Sequence, residues 1–241
     1  MKRAVFVYAR ADSQRLPGKA LMPLGCGGPL LGIVLARARM VEAEACVLLT
    51  STRAVDDQLA ELGSAHGVQV VRGDAFNLVQ RTLQAIKVTE ATHFLRVNGD
   101  SPLFSPILAR HAMAYLAHHS LVSNLFDRRF PYGVAVEWVA ANSYRDLALA
   151  AKAAECEHVT EHLYRLHEMR QRLSMTQNRD DSGLRLALDT QGDHDRLSEL
   201  FRQADPMWTE YWDLYDIAAP DLIFMHPKVD DLSSYRLSSA E

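Results

Sequence analysis

The first hundred residues alternate short apolar or β-branched runs with helical patterns, and this alternation restricts the fold more than any other feature. Strands that alternate with helices form a largely parallel sheet covered by helices, an α/β architecture. We predict strands over residues 2–9, 46–50, 68–71 and 93–97, and helices over residues 29–38, 55–65 and 76–88. With 241 residues the chain can bury one such core, so we expect a single domain over residues 1–241.

The alternation becomes less regular after residue 98. A strand over Gly133–Trp138, bounded by a Phe-Pro-Tyr-Gly turn, predicts a small irregular β insertion. Further predicted elements are a helix from about Ser105 to His119, helices over 142–152 and 157–171, a strand over Leu184–Leu188 and a helix from Asp193 onward. Trp208, Tyr211, Trp212 and Tyr215 are spaced as on one helix face, which either packs against the domain or forms a dimer contact.

Composition excludes several classes of function. The formal charge is −4, so the chain has no general excess of cations for binding a nucleic-acid backbone, and we expect no nucleic-acid partner. The three cysteines match no paired metal or redox spacing, which favours a cytoplasmic location. The N-terminal apolar run stops at Arg10, too short for a signal peptide, and no run is long enough for a membrane span.

The loop that follows the first predicted strand, residues 9–19, is basic and contains a Pro-Gly turn. Clustered cations and free backbone amides around such a turn suit a polyphosphate. The cations are Arg10, Arg15 and Lys19. It is not a Walker A loop, because Ser13 replaces the first glycine and Ala20 the magnesium-binding hydroxyl residue. The alternative is an ordinary solvated basic turn.

Two aspartates, Asp100 and Asp189, each follow a predicted strand. Ligands of open α/β sheets bind beyond the carboxyl ends of the strands, so both carboxylates could point into one cleft. Magnesium prefers one or two carboxylates together with phosphate oxygens and water. The alternative is that either aspartate caps the helix after it.

Several ordered motifs resemble the cytidylyltransferases that activate ulosonic and nonulosonic acids, including the CMP-Kdo and acylneuraminate synthetases. The opening motif Arg-x-x-Ser-x-Arg-Leu-Pro-Gly-Lys spans residues 10–19. The later motifs are Arg96–Leu103 and Leu186–Asp193, while Phe130–Glu137 and Glu157–Thr160 are most similar to the spore-coat polysaccharide branch. The resemblance implies a Rossmann-like nucleotidyltransferase fold, and a reaction that moves CMP from CTP to an acidic sugar with release of pyrophosphate.

The resemblance also implies roles for individual residues. Catalysis is assigned to Arg10, Lys19, Asp100 and Asp189, and a Mg²⁺ cofactor to Asp100 and Asp189. Nucleotide binding is assigned to Ala9, Arg10, Ser13, Arg15, Lys19, Arg72 and Asn98. Acceptor binding is assigned to Tyr132, Glu137, Glu157 and His158, although Ala135 stands where relatives place an aspartate. Related enzymes are often dimers, so the implied partners are CTP, an acidic sugar and a second copy of the chain.

Three alternatives stay open. The enzyme could use another nucleoside triphosphate, or a sugar phosphate or phosphonate acceptor. The chain could instead be a catalytically silent scaffold that binds sugar nucleotides. A zinc site at His158 and His162 has helical spacing, but it lacks a matching cysteine or carboxylate pattern.

Overall fold

A computed structural model describes residues 1–25, 28–150, 160, 163–164 and 171–226. Within these residues, eight strands form one sheet in the order β3-β2-β1-β4-β6-β5-β7-β8, and helices flank it. Mostly parallel pairing around the centre of this sheet confirms the predicted α/β class. No helix among the described residues is long and apolar enough to cross a membrane.

The first half of the chain forms the parallel part of the sheet. Its strands are β1 (Arg3–Tyr8), β2 (Ala45–Ser51), β3 (Gln69–Gly73) and β4 (His93–Asn98). The helices between and after them are α1 (Leu30–Arg39), α2 (Asp57–Ala65), α3 (Leu78–Thr89) and α4 (Pro106–Met113). All four predicted strands and the first three predicted helices are confirmed, whereas α4 ends five residues before His118.

Strand β1 is buried on both of its faces, which explains its continuous apolar sequence. Val5 and Val7 pack into one layer of the core with α1, while Ala4 and Phe6 pack into the other layer with α3. The side chain of Asn77 accepts a hydrogen bond from the Gln80 amide and caps α3 at its N-terminus. Because β1 and β4 are neighbouring parallel strands, the loops at their carboxyl ends lie at the same edge of the sheet.

The second half of the chain extends the sheet with mixed pairing. Strand β6 (Glu137–Ala140) pairs antiparallel with both β4 and β5 (Leu121–Ser123). Strand β7 (Arg172–Gln177) is parallel to β5, and β8 (Leu222–Met225) closes the edge. The remaining helices are α5 (Ala141–Ala150), α6 (Gln191–Gln203) and α7 (Tyr211–Leu214).

Two strand predictions in this half are wrong. The strand predicted over Gly133–Trp138 begins only at Glu137, because Asn124 binds the backbone of Val134 and Val136 with its side-chain amide. The segment Leu184–Leu188 is not a strand: only Arg185 bridges to Tyr132. Strands β5, β7 and β8 were not predicted. The predicted helix over 157–171 lies largely outside the described residues.

The aromatic cluster near residue 210 is only partly a helix face. Helix α7 spans four residues, and Tyr211 and Trp212 are buried in the core. Trp208 precedes the helix and is 74% exposed. The cluster therefore mainly packs against the domain, as one of the two interpretations proposed.

Candidate functional site

A cleft of about 400 Å³ opens at the carboxyl ends of β1 and β4. Tyr8 and Asn98 end these strands and line the cleft, together with Leu78 from α3. All the residues predicted for nucleotide binding except Arg72 line it, namely Ala9, Arg10, Ser13, Arg15, Lys19 and Asn98. Asp100 and Asp189 also line it, so the structure brings the two distant acidic motifs to one place.

The loop of residues 9–19 is fixed by the neighbouring strand β2. The buried carboxylate of Asp56 accepts a hydrogen bond from the Ala11 amide at 2.7 Å and a second one from the Ser51 hydroxyl. Arg53 forms an ion pair with Asp12 at 2.7 Å. The loop then closes on itself through a Gly18 amide to Ala11 carbonyl bond of 2.9 Å. These contacts set the path of the loop before any ligand binds.

Lys19 joins three separate segments at the floor of the cleft. Its ammonium donates to Asp100 Oδ2 at 3.0 Å, to Asp189 Oδ1 at 2.9 Å and to the Leu188 carbonyl at 2.7 Å. Burial lowers the pKa of Lys19, but attraction to Asp100 and the hydrogen bonds with both carboxylates outweigh it, so the pKa is raised. Lys19 is therefore a fixed positive charge and not a proton acceptor at neutral pH.

Asp189 is placed by backbone contacts and not, as predicted, by a preceding strand. The Leu188 amide donates to the Asp100 carbonyl at 2.8 Å, which ties the two acidic segments together. Arg185 Nη2 lies 2.5 Å from Asp189 Oδ2, and Arg15 Nη1 lies 3.6 Å from the same oxygen. The side chain of Asp189 is only 7% exposed, so three cations surround a nearly buried carboxylate.

The N-terminus of α6 supports Asp189 from behind. Thr190 and Asp193 form a reciprocal capping box, and α6 begins at Gln191, two residues before the predicted start. The acidic first turn was predicted, but the capping box was not. Asp193 Oδ2 also accepts the Asp189 amide at 3.1 Å. Burial opposes ionisation of Asp193, but this bond and those from Arg196 and Thr190 lower its pKa from 3.8 to about 2.

Three predicted site residues among the described ones do not line the cleft: Arg72, Glu137 and Tyr132. Arg72 donates to the carbonyls of Ser51 and Arg53 and pairs with Asp57 at 2.6 Å, so its guanidinium secures the end of β2. It does not line the cleft. The prediction that Arg72 contacts the base is therefore not supported by its position.

Glu137, predicted to face the acceptor, is fully buried. It accepts hydrogen bonds from Arg96 at 2.6 Å and from Thr160 and Tyr164 at 2.8 Å each. These bonds make it part of a polar network within the core rather than an open sugar contact.

Of the other acceptor residues, Tyr132 is exposed and does not line the cleft. The guanidinium of Arg185, which pairs with Asp189, lies 4.5 Å from the ring centre of Tyr132. Burial, together with the charges of Asp189 and Asp100, raises the pKa of the Tyr132 phenol. Glu157 and His158 lie outside the described residues, as does His162.

Sequence reasoning missed two arginines at the site. Arg185 lies four positions before Asp189 and pairs with it. A basic residue so close in sequence to a candidate aspartate was a signal that the sequence offered. Arg81 lines the cleft although it is only 3% exposed. The sequence gave little indication that Arg81 lines the cleft, because one arginine on an otherwise ordinary helix resembles a surface residue. Among the described residues no group of three or more histidine, cysteine or acidic side chains could hold a metal unaided.

Comparisons with known proteins agree with this geometry. Residues 4–196 match the sequence profile of the family described as cytidylyltransferase. The spore coat polysaccharide biosynthesis protein SpsF of Bacillus subtilis (strain 168) is 28% identical in an alignment of 246 positions, gaps included, that covers 95% of this chain and 96% of SpsF.

Solved structures give the same result. A cytidylyltransferase from Leptospira borgpetersenii serovar Hardjo-bovis (strain JB197) superposes with a TM-score of 0.83 at 28% identity, over 90% of this chain and 93% of the other. A CMP:2-keto-3-deoxy-manno-octonic acid synthetase complexed with CTP shares the fold, with a TM-score of 0.60 at 15% identity over 84% and 99% of the two chains. Because the family profile covers most of the sequence and its motifs meet in one cleft, the chain belongs to the cytidylyltransferase family.

Proposed function

We propose that this protein transfers CMP from CTP to an acidic sugar and releases pyrophosphate, with Mg²⁺ as its cofactor. The observation that carries the proposal is the ammonium of Lys19, held within 3.0 Å of both Asp100 and Asp189 at the floor of the cleft. One cation that joins two acidic motifs to a basic loop suits a reaction in which negative charge moves between phosphates.

The basic loop supports binding of a triphosphate. Arg10 is half exposed and lies 3.6 Å from Asp12, a long ion pair that leaves its donors available. Arg15 is more exposed and lies 3.6 Å from Asp189. Guanidinium groups bind phosphate oxygens with two parallel hydrogen bonds, so both side chains could turn toward a polyphosphate without breaking a tight contact.

The two carboxylates fit a magnesium ion that is completed by its substrate. Three oxygens, from Asp100, Asp189 and the Leu188 carbonyl, already converge on one positive charge. Magnesium commonly takes one or two carboxylates and fills its other positions with phosphate oxygens and water. When bound to Asp100 and Asp189, it would neutralise phosphate charge and make the α-phosphorus more electrophilic.

The transfer requires no covalent intermediate with the protein. A hydroxyl oxygen of the acceptor forms a bond to the α-phosphorus of CTP while the bond to the β-phosphate oxygen breaks, and the hydroxyl proton passes to solvent or to a nearby carboxylate. Negative charge grows on the departing pyrophosphate, and Lys19 and Arg15 are placed to offset it.

An acidic sugar is proposed from the charge at the mouth of the cleft and from the relatives. Arg185 and Tyr132 stack beside Asp189, where a guanidinium and a phenol could bind a carboxylate and a hydroxyl. SpsF is named for polysaccharide biosynthesis, and the more distant synthetase acts on an acidic octonic sugar. We also propose a cytoplasmic location and a homodimer. Size-exclusion chromatography with light scattering tests the dimer.

The experiment is pyrophosphate release from each of the four ribonucleoside triphosphates, with Mg²⁺ or EDTA, across a panel of acidic sugars that includes Kdo and several nonulosonic acids. A sugar phosphate and a phosphonate are included as other acceptor classes. We expect release only with CTP, Mg²⁺ and an acidic sugar. Release with another triphosphate or acceptor class would replace the proposed substrates, and measurable CTP binding without any release would favour the scaffold alternative.

A further inference from the structure

Asp56 is a buried carboxylate whose position in the chain does not explain it. It directly precedes α2, where an aspartate ordinarily caps the helix, yet its side chain caps none of the amides in the first turn, all of which the structure describes. The side chain is fully buried. A carboxylate loses its hydration on burial, so hydrogen bonds or positive charge have to replace the water. The groups that it binds therefore indicate its role.

These groups lie in β2 and in the basic loop of residues 9–19. Asp56 Oδ1 accepts the Ala11 amide at 2.7 Å, and Oδ2 accepts the Ser51 hydroxyl. Arg53 adds positive charge 3.9 Å from Oδ2. Ser51 is the last residue of β2, whereas Ala11 belongs to the loop that follows β1. Asp56 thus fastens the basic loop at Ala11 to the carboxyl end of the neighbouring strand.

Ala11 in turn fixes the far end of the loop. Its carbonyl accepts the Gly18 amide at 2.9 Å. Gly18 has a φ of +73°, in the left-handed region, and this turn directs the chain into Lys19. The ammonium of Lys19 then joins the two acidic motifs at the floor of the cleft. A continuous series of contacts therefore runs from Asp56 through Ala11 and Gly18 to that ammonium.

The negative charge of Asp56 by itself opposes binding of a triphosphate. A carboxylate behind a loop that binds phosphates repels them, and buried surroundings strengthen the repulsion. Its hydrogen bond to the Ala11 amide has the opposite effect, because it orders the loop that carries the cations. An asparagine side chain has one carbonyl oxygen that can accept the same amide without the charge. Two uncharged variants at this position therefore separate positioning of the loop from repulsion.

We propose that Asp56 is a positioning residue for the triphosphate: by holding the Ala11 amide, it fixes the basic loop so that the three cations of the loop face the β- and γ-phosphates. This inference rests on the proposed function, since it concerns the nucleotide of the same cleft. Asp56 is not among the described residues that line the cleft, so it acts through the loop and not by contact. A loop that is ordered in advance loses less conformational entropy when its ligand binds.

The test is the dissociation constant of CTP and of CMP, measured by calorimetry without an acceptor for the wild type, Asp56→Ala, Asp56→Asn and Asp57→Asn. Asp56→Ala removes both the charge and the acceptor oxygen, whereas Asp56→Asn removes the charge alone. Asp57→Asn is the matched control, because this next carboxylate is 52% exposed and pairs with Arg72.

We expect Asp56→Ala to bind CTP about 10- to 100-fold more weakly than the wild type, because the Ala11 amide loses its buried acceptor. CMP lacks the β- and γ-phosphates, so its affinity should fall much less. Asp56→Asn and Asp57→Asn should bind CTP at least as tightly as the wild type, because both keep the loop in place and remove negative charge.

Melting temperatures show whether each variant is folded. If Asp56→Ala is not, Ser51→Ala carries the test, because it removes one of the two hydrogen bonds that hold the carboxylate. We expect Ser51→Ala to weaken CTP binding more than CMP binding, and an unchanged ratio of the two affinities would overturn the inference.

Equal CTP affinities in folded Asp56→Ala and Asp56→Asn would overturn the inference, because the acceptor oxygen would then have no effect. A loss shared equally by CTP and CMP, or an equal loss in Asp57→Asn, would overturn it too. In each case the wild type still binds CTP, so the proposed function survives. A wild type that binds neither nucleotide would overturn both proposals.

Discussion

Replacing Asp193 by Asn tests how the capping box of α6 stabilises the loop that carries Asp189. Asp193 Oδ2 accepts the amides of Asp189 and Thr190 at 3.1 and 2.9 Å, and Oδ1 pairs with Arg196 at 3.0 Å. An amide side chain keeps the shape and one acceptor oxygen but removes the negative charge. The variant should therefore lose the charge-dependent part of these contacts and little else.

The pKa of Asp193 sets the magnitude. A lowering from 3.8 to about 2 corresponds to about 2 kcal/mol of folding free energy near neutral pH. Because the pKa is lowered in the folded protein, this stabilisation is present above the ordinary aspartate pKa and is lost as the pH falls toward 2. About half of it should remain near pH 3.

Urea unfolding at pH 7 and pH 3 measures the effect, with Asp195→Asn as the control on the exposed face of the same helix. We expect Asp193→Asn to be less stable than the wild type by about 2 kcal/mol at pH 7 and by about 1 kcal/mol at pH 3. The control should leave the free energy of unfolding nearly unchanged, because its carboxylate is exposed. A difference that is the same at both pH values would refute the electrostatic reasoning.

Two other substitutions test a buried ion pair in the core and the packing of the cleft. Arg37→Met should lower the free energy of unfolding by about 3–5 kcal/mol, because it leaves Glu210 buried without its partner. Urea unfolding measures the loss. A loss below about 1 kcal/mol would show that this ion pair does not stabilise the fold. Gly99→Ala should weaken CTP binding about tenfold or more, because its Cβ would lie 2.8 Å from the Tyr8 carbonyl at the floor of the cleft. Gly183→Ala is the matched control, since a Cβ there meets no atom within 4 Å, and equal CTP affinities in the two variants would contradict the account.

The parallel half of the fold was predictable because its strands are buried on both faces. A strand such as Arg3–Tyr8 has to be apolar throughout, and the helices between the strands carry clear start signals. Strand β7 gave no such signal. It is buried along its whole length, yet it carries the polar residues Thr176 and Gln177, which donate to Asp127 and to the Arg129 carbonyl, both distant in sequence.

The site also combines residues that the sequence predicted with residues that it could not place. Lys19, Asp100 and Asp189 belong to ordered motifs, so their sequence context predicted that they would meet. The environments of Arg72, in β3, and of Arg81, on α3, could not be predicted from the sequence, because each is a single arginine among unrelated residues. Only the fold shows that Asp57 and two carbonyls bind Arg72, while Arg81 lines the cleft.

The central claim is that Asp189, bound to Lys19 in the cleft, takes part in nucleotidyl transfer. The most direct measurement compares pyrophosphate release and CTP binding in wild type, Asp189→Asn and the control Asp195→Asn. We expect Asp189→Asn to stay folded and to bind CTP but to release no pyrophosphate, while the control retains full activity. Wild-type rates of pyrophosphate release from Asp189→Asn would contradict it.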